Sequence, residues 1–230
     1  MMKKLACLFG VLFTLTVLAC ACTHKKPDPA VTSEPTETQA TSVDLPGLPE
    51  LTEGVFISEL FSYSGVYVED GGGDACEGIC AVRLTNVSDV SYQYLRFALK
   101  TTGGDCMFSA TTLLPGADMT VLCEEKTPFS DGNILSAELL NAAVFASPPS
   151  VHDDVLRVTY TDGFISVKNL SDATLSNLYV YYKDTDDAGY LGGITYRASF
   201  GSLEPGQIRQ TGAPHMRRDT CVVVFVTYDA

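Results

Sequence analysis

The feature that most constrains the fold is an internal duplication. Residues 84–89 (LTNVSD) match residues 167–172 (VKNLSD) at an offset of 83 residues. A second match pairs Pro-Gly at 115–116 with Pro-Gly at 205–206, and its offset of 90 requires an insertion of seven residues in the second copy, for which 184–193 is the natural place. Self-similarity at a fixed offset indicates two copies of one structural unit. We therefore expect the two halves of the chain to share one fold.

Alternation of apolar and polar residues predicts that both copies consist of β-strands. Three alternate apolar residues of the first copy recur in the second at the same offset of 83: Leu95, Phe97 and Leu99 become Leu178, Val180 and Tyr182. A period of two is that of a strand with one buried face. We predict an all-β chain with two tandem antiparallel β-sandwich domains, at residues 55–147 and 150–230.

For residues 134–145 the local propensity and the duplication predict different secondary structures. Their centre, AELLNAA at 137–143, favours a helix. The duplication, however, aligns this segment with the β-branched and aromatic stretch at 221–228. We therefore predict a strand at 134–145.

The shared Asn-x-Ser-Asp sequence indicates a turn, because these side chains hydrogen-bond to their own backbone. An Asn-x-Ser turn, a following apolar strand and a later Pro-Gly turn together resemble the FxLYD-type and related immunoglobulin-like β-sandwich domains of bacterial surface lipoproteins. The resemblance covers residues 79–122 and 165–208. The resemblance implies an immunoglobulin-like fold and a location at the cell surface, and the family has no catalytic residues to transfer to this chain.

The N-terminus indicates export and lipidation. Lys3 and Lys4 precede residues 5–19, which carry no charge and are too few for a comfortable membrane span. Residues 17–20 (VLAC) resemble the lipobox of bacterial lipoproteins, which implies cleavage before Cys20 and attachment of a diacylglycerol to its sulfur. Residues 1–19 are then a signal peptide and the protein is anchored to the bacterial cell membrane, facing the extracytoplasmic side. An ordinary secretory signal with an incidental cysteine is the alternative.

Residues 20–54 are predicted to be a disordered tether. This stretch holds five prolines, many Thr, Ser and Glu residues and few large apolar ones. Such a composition buries too little apolar surface to offset the entropy of ordering. Its ~30 residues would reach up to about 100 Å when extended, so the tether would hold the folded part away from the membrane.

The charge of the chain excludes one class of partner. The formal net charge is −13, and removal of residues 1–19 takes away two lysines and no acidic residue, which leaves −15. A charge of this sign opposes binding to nucleic acid.

The cysteines predict one disulfide. Residues 106–123 read as a hairpin around Leu-Pro-Gly-Ala at 114–117, so Cys106 and Cys123 would face each other across it. Closing a loop of this length would stabilise the protein by roughly 3 kcal/mol. Cys76 and Cys80 would pair with each other or with that hairpin, whereas Cys221 lies on an apolar strand and reads as a buried free thiol. A Cys-x-x-x-Cys pair with no second pair is a poor zinc signal.

Other short motifs in the sequence give little support for an ion site, a phosphate site or a catalytic site. Residues 184–189 (DTDDAG) begin like a calcium loop but lack two of its oxygen ligands, so a solvated hairpin loop is favoured over an ion site. The glycine-rich loop at 69–74 is not followed by the Lys and helix of a phosphate cradle. His152 has acidic neighbours and residues 215–218 (HMRR) form a basic patch that would dock an anionic group or stay solvated. The chain has no Gly-x-Ser-x-Gly elbow, so we predict no enzymatic activity, no cofactor and no metal site.

Two tyrosines form the predicted binding surface. If Leu178, Val180 and Tyr182 face the core, then Tyr179 and Tyr181 face outward, where a sugar ring or a protein partner would stack on them. The alternative is that the other domain or the linker covers them. We predict a lipid-anchored, extracytoplasmic, non-catalytic module that binds or presents a ligand at the cell envelope, with an envelope protein or a glycan as partner. A structural stalk or accessory subunit without a ligand of its own is the second hypothesis.

Overall fold

The computed structural model describes residues 49–130 and 133–230, and these residues form an all-β protein, as predicted. The signal peptide and residues 20–48, which include Cys20 and most of the predicted tether, lie outside the described residues. The tether prediction is wrong at its C-terminal end, because Glu50–Thr52 form a strand and Leu51 is buried in the core of the fold. Within the described part of the chain no helix is long and apolar enough to cross a membrane. The thirteen strands there are β1 (Glu50–Thr52), β2 (Val55–Val66), β3 (Ala75–Asn86), β4 (Tyr92–Thr101), β5 (Gly104–Leu113), β6 (Asp118–Leu122), β7 (Ile134–Val144), β8 (Leu156–Thr161), β9 (Phe164–Asn169), β10 (Leu175–Asp186), β11 (Gly189–Leu203), β12 (Ile208–Gly212) and β13 (Cys221–Asp229).

The strands form one large sheet and two small ones. The large sheet has seven strands in the order β1-β2-β3-β6-β11-β10-β13, and the small sheets have the orders β5-β4-β7 and β12-β9-β8. We call β1–β7 repeat 1 and β8–β13 repeat 2. By the duplication, β2-β3-β6 of repeat 1 correspond to β8-β9-β12 of repeat 2, and β5-β4-β7 correspond to β11-β10-β13. The large sheet therefore joins one side of repeat 1 to the opposite side of repeat 2.

The junction is made by the inserted residues of the second copy. β6 and β11 pair in parallel, with Tyr190 opposite Met119 and Leu191 opposite Thr120. Tyr190 and Leu191 lie within residues 184–193, where the offset of the duplication changes. The insertion lengthens β11 to 15 residues against 10 for β5, and the additional length reaches the edge of repeat 1.

Each repeat buries its own apolar core between its two sets of strands. In repeat 1, Phe97 of β4 stacks on Phe108 of β5, with ring centroids 5.2 Å apart, and both rings are fully buried. In repeat 2, Tyr182 of β10 packs on Tyr196 of β11 at 5.3 Å. Burying one large apolar side chain contributes about 1.5–3 kcal/mol, so the predicted alternate apolar positions supply much of the driving force. All six of them are buried.

Segment 134–145 forms a strand, so the prediction from the repeat is confirmed. β7 pairs with β4 along its length, with Thr101 opposite Ile134 and Tyr92 opposite Val144. Its Leu139 packs against the core of repeat 1. Pairing with a strand that is already in place outweighs the helical propensity, because that preference is worth only tenths of a kcal/mol per residue.

Two buried asparagines organise the ends of the repeats. The side chain of Asn86 donates to the carbonyl oxygens of Val90 (2.9 Å) and Leu114 (3.1 Å) and accepts from the backbone N–H of Ser88 (3.0 Å). Asn169 donates to the carbonyl of Ala173 (2.8 Å) and accepts from the N–H of Ser171 (2.9 Å) in the same way. It also donates to the carbonyl of Leu203 (3.1 Å), whose counterpart Leu113 lies 3.4 Å from Asn86. Each asparagine therefore ties together the two connections at its end of the repeat.

The hairpin predicted at 106–123 is wrong, and these connections explain why. β5 pairs with β4, whereas β6 pairs with β3 in the other sheet. Residues 114–117 thus carry the chain from one sheet to the other. Sequence alone does not distinguish the two arrangements, because Pro and Gly favour both.

Candidate functional site

The connection between β2 and β3 spans both repeats. Residues 66–74, which we call the bridging segment, cover the outer face of β3 and β6. Tyr67 is buried there, and its hydroxyl donates to the carbonyls of Cys123 and Glu124, both at 3.1 Å. Leu191 of repeat 2 packs against the same apolar group. Alternate residues of the bridging segment face two different cavities, because an extended chain points successive side chains in opposite directions.

The larger cavity, which we call the inter-repeat cleft, has a volume of about 450 Å³. Its lining comes from the bridging segment, β5, β6, the residues after β6 and β11: Tyr67, Glu69, Asp70, Ser109, Thr111, Leu122, Glu124, Lys126, Gly193 and Ile194. Both repeats therefore contribute to its wall. Clefts between structural units are frequent ligand sites.

Ion pairs and hydroxyls border this cleft. Glu124 accepts from Arg96 at 3.1 Å and from the hydroxyl of Ser109 at 2.6 Å. Lys126 lies 3.6 Å from Asp70, with its ammonium 4.0 Å above the ring centroid of Tyr67. Three carboxylates against one lysine among the lining residues make the cleft rich in hydrogen-bond acceptors.

Glu69 connects the two repeats at the base of the cleft. Its Oε1 accepts from the backbone N–H of Leu122 and from that of Gly193, both at 2.9 Å. Burial raises the pKa of Glu69, while the two backbone donors and Lys183 oppose that rise. The carboxylate is thus held by one strand from each repeat.

Lys183 is the most unusual residue near the cleft because it is completely buried. Its ammonium donates to the carbonyls of Ile194 (2.7 Å), Thr111 (3.0 Å) and Gly193 (3.4 Å) and lies 3.3 Å from the hydroxyl of Thr195. Burial lowers the pKa of Lys183 to about 7, whereas the carboxylates of Glu69 and Asp184 raise it. Its hydrogen bonds to carbonyl groups on both strands make the lysine a link between β5 and β11.

Sequence reasoning did not identify Lys183 or Glu69. The duplication aligned Lys183 with Lys100, which is exposed at the end of β4. The sequence offered one indication of the unusual position of Lys183, since the lysine directly follows the apolar and aromatic run Tyr-Val-Tyr-Tyr at 179–182. A charged residue at the end of such a run lies either at the surface or in the interior with polar partners. Only the packing of repeat 1 on repeat 2 distinguishes these outcomes.

The smaller cavity, of about 290 Å³, brings together three motifs that were considered separately in the sequence. It is lined by Gly72 and Gly73 of the glycine-rich loop, by Asp184, and by His215 and Arg217 of the basic patch. Arg217 is paired with Asp184 at 2.9 Å. The basic patch is therefore partly neutralised within the protein.

Asp184 is committed to internal partners. Its Oδ1 accepts from Arg217 and from the thiol of Cys221, 2.9 Å away. Residues 184–189, for which a hairpin loop was favoured over an ion site, contain a tight turn between β10 and β11, in which Asp186 accepts from the N–H of Ala188 at 2.8 Å. The described residues contain no group of three His, Cys, Asp or Glu side chains positioned to hold a metal ion.

The histidines and Cys221 have structural contacts. Cys221 is buried as predicted, and its thiol also lies 3.3 Å from the carbonyl of His215. Burial raises the pKa of Cys221 to about 11, the opposite of what activates a nucleophilic thiol. The ring of His215 stacks on Tyr196 at 4.5 Å, and that of His152 packs edge-on against Tyr228 at 5.2 Å.

Tyr179 and Tyr181 lie on the face of β10 opposite the core and are half-buried. Tyr181 stacks on Phe225 of β13 with ring centroids 4.1 Å apart, and Phe145 packs edge-on against Phe225 at 5.3 Å. The guanidinium of Arg197 lies 4.7 Å above the ring of Tyr179. One face of each tyrosine ring is therefore already in contact with a side chain.

Cys106 and Cys123 meet between the two sheets of repeat 1 instead of across a hairpin. Cys106 is on β5 and Cys123 directly follows β6, and Cys80 of β3 joins them in the same core. Cys76 packs on the other side of the sheet, in the apolar group beneath the bridging segment. All five cysteines of the described residues are free thiols.

Comparison with known proteins does not identify a family for the chain. The resemblance to FxLYD-type lipoprotein domains remains a prediction. No protein-family model matches the chain, and no curated protein matches it significantly.

Proposed function

We propose that this protein is a lipid-anchored, extracytoplasmic binding module that takes a polar ligand in the inter-repeat cleft. One observation carries the proposal: a cleft of about 450 Å³, with walls from both repeats, surrounds the enclosed carboxylate of Glu69. The volume lies within the range of small-molecule sites, about 300–1,000 Å³. Ionisable groups with perturbed pKa values in a cleft are a recurrent feature of functional sites.

The chemistry of the lining favours a neutral ligand with many hydroxyl groups, such as an envelope saccharide. Asp70 and Glu124 are acceptors for hydroxyl donors, and the hydroxyls of Ser109 and Thr111, which donate to Glu124 and to the carbonyl of Gly193, can accept from a ligand as well. The surplus of carboxylates opposes an anionic ligand. A saccharide also fits the expected location, because the lipobox at residues 17–20 would place the module at the cell envelope.

A binding role is favoured over catalysis by the state of the nucleophilic side chains. Burial raises the pKa of the thiols of Cys80, Cys106 and Cys221. Protonated thiols are poor nucleophiles. We therefore propose a module without enzymatic activity.

A binding screen with matched variants tests the proposal. The mature protein in detergent micelles is screened against a panel of bacterial surface oligosaccharides, and the ligands found are titrated by calorimetry. We expect Glu124→Gln to raise the dissociation constant about tenfold, because loss of one hydrogen bond to a charged group costs about 1.4 kcal/mol. Glu77→Gln is the control, because Glu77 is exposed outside the cleft.

Two results would contradict the cleft as the site. The first is that the wild-type protein binds no oligosaccharide of the panel. The second is that binding is unchanged by Glu124→Gln and lost on the double substitution Tyr179→Ala and Tyr181→Ala, which would move the site to the tyrosine surface.

The anchor has a separate test. Mass spectrometry of the protein from membranes is expected to show that Cys20 is the N-terminal residue and carries acyl chains. An intact residue 1, or an unmodified Cys20, would remove the proposed location without affecting the cleft.

A second function is favoured by the continuous large sheet. Strand pairing between β6 and β11 couples the two repeats through their backbones, which suits a stiff stalk or an accessory subunit of an envelope complex. β7 also exposes Leu135, Leu140 and Val144. Absence of any saccharide ligand together with co-purification of an envelope protein would favour this function.

A further inference from the structure

Three thiols from three different strands meet in the core of repeat 1. Cys80, Cys106 and Cys123 are 3%, 2% and 0% exposed and belong to one apolar cluster. The backbone N–H of Glu124 donates to the carbonyl of Met107 at 2.9 Å, which brings the neighbouring residues Cys123 and Cys106 together. The sequence left Cys80 to pair with Cys76 or with a cysteine of residues 106–123, and the structure buries it with Cys106 and Cys123, in a different cluster from Cys76.

Cys80 and Cys123 are neighbours on paired strands. Ala81 lies opposite Leu122 in the β3–β6 ladder, and the next residues are Cys80 and Cys123, joined by a hydrogen bond of 3.0 Å from the N–H of Cys123 to the carbonyl of Cys80. The Cβ atoms of directly opposite residues in an antiparallel ladder are about 4.5–5.5 Å apart, because their side chains leave the same face of the sheet side by side. A disulfide needs Cβ atoms about 3.5–4.5 Å apart, so this pair is poorly placed for a mutual bond.

Cys106 approaches the same two residues from the facing sheet. It lies on β5, opposite Leu99 of β4, and its side chain is buried in the core to which Cys80 and Cys123 also belong. A thiol that enters from the opposite side converges on its neighbours, whereas two parallel side chains do not.

We propose that this cluster is a disulfide-exchange site in which Cys106 is the shared partner. Oxidation forms one S–S bond, from Cys106 to either Cys80 or Cys123, and leaves the third cysteine as a thiol. The two cysteines together lose two protons and two electrons. An oxidant of the disulfide class, such as a thiol–disulfide oxidoreductase or oxidised glutathione, accepts them and becomes two thiols.

The third thiol permits exchange without further oxidation. As a thiolate it attacks the sulfur of Cys106, forms a new S–S bond and releases the former partner as a thiolate, which takes up a proton. Both forms tie the β5-β4-β7 sheet to the large sheet.

Burial determines when the bond forms. Desolvation raises the pKa of Cys106 and Cys80, and the thiol of Cys123 is further engaged, 3.3 Å from Glu125 and 3.4 Å from Thr127. Few thiolates are present in the folded protein, so we infer that oxidation and exchange both take place during folding, before the cluster is fully buried. An exported chain would fold in an oxidising compartment, which links this inference to the proposed location.

Refolding in vitro tests the inference independently of location and ligand. The mature chain is unfolded in urea with reductant, refolded with oxidised glutathione, quenched with acid and alkylated, and its peptides are mapped by mass spectrometry. We expect one disulfide in the cluster, divided between 80–106 and 106–123, and a thermal midpoint raised by roughly 6–12 °C over the reduced protein.

Single variants identify the shared partner. Cys80→Ala is expected to place all of the disulfide at 106–123, and Cys123→Ala all of it at 80–106. Cys106→Ala is expected to abolish disulfide formation in the cluster, whereas the control Cys221→Ala leaves both bonds. Three alkylated thiols in refolded wild type, or a bond between Cys80 and Cys123 in the Cys106→Ala chain, would overturn the proposal. If Cys106→Ala does not fold, failure of either of the other variants to form its bond would overturn it.

Discussion

The two repeats have the same turns at their ends, but they differ in the region where they contact each other. Asn86 and Asn169 make the same bonds to the same kinds of backbone group, although 83 residues separate them. Lys100 and Lys183 occupy equivalent positions, yet Lys100 is exposed and Lys183 is completely buried. Turn chemistry is local and recurs wherever the turn recurs. The environment of a strand end, in contrast, depends on what packs against it. The end of β10, with Lys183, lies between the two repeats, whereas the end of β4, with Lys100, lies at the surface.

The largest expected effect comes from removing the buried cation. Lys183→Met removes the donor to three backbone carbonyls and the positive charge near Glu69, so we expect the free energy of unfolding to fall by about 3 kcal/mol. Urea unfolding measures it, and Lys100→Met is the matched control, with an expected change within about 0.5 kcal/mol. Equal effects of the two changes would show that the repeats do not differ at this position.

The two asparagines are expected to contribute equally. Asn86→Ala and Asn169→Ala each leave buried backbone groups without their partner, which costs about 2–3 kcal/mol. Both variants are compared by urea unfolding at the same pH. A difference above 1 kcal/mol between them would mean that the two connections are not energetically equivalent.

The lowered pKa of Lys183 predicts that the stability of the protein depends on pH. It is lowered from 10.5 to about 7 in the folded state, so the unfolded chain binds more protons between these values. Stability should therefore rise from pH 7 to pH 9, by at most about 1.4 kcal/mol per pH unit. This contribution is fully present above the pKa of the unfolded chain and is lost as the pH falls through the folded value.

Comparison with Lys183→Met isolates this contribution. The variant is expected to lose the rise between pH 7 and pH 9, whereas Lys100→Met should retain it. A rise of the same slope in both variants would assign it to other groups.

The smallest effects are expected at exposed apolar residues in the two small sheets. Leu135 of β7 and Ile208 of β12 are 65% and 64% exposed. Leu135→Ala and Ile208→Ala should each change the free energy of unfolding by less than about 0.5 kcal/mol. A larger loss for Leu135→Ala alone, increasing with protein concentration, would indicate that β7 is covered by a second molecule in solution.

Prediction from the sequence succeeded for features that short-range chemistry controls. The alternate apolar positions, the turns at Asn86 and Asn169, the strand character of 134–145 and the burial of Cys221 all agree with the structure. Pairing across 114–117 was wrong, because a Pro-Gly turn serves a hairpin and a crossing between sheets equally well. The site was only partly foreseen: the loops at 69–74, 184–189 and 215–218 were noted singly, and nothing in their sequences indicated that they meet.

The sequence by itself determined that the part of the chain described by the structure is all-β and which face of each central strand is buried, and it predicted two copies of one unit. These properties follow from the period of two and from side chains that bond to their own backbone. Only the tertiary structure decided that β6 pairs with β11, that Glu69 and Lys183 lie at the base of a shared cleft, and that Cys80 joins Cys106 and Cys123. The physical reason is that these contacts join residues far apart in the chain, and their energies depend on burial, which the local sequence does not specify.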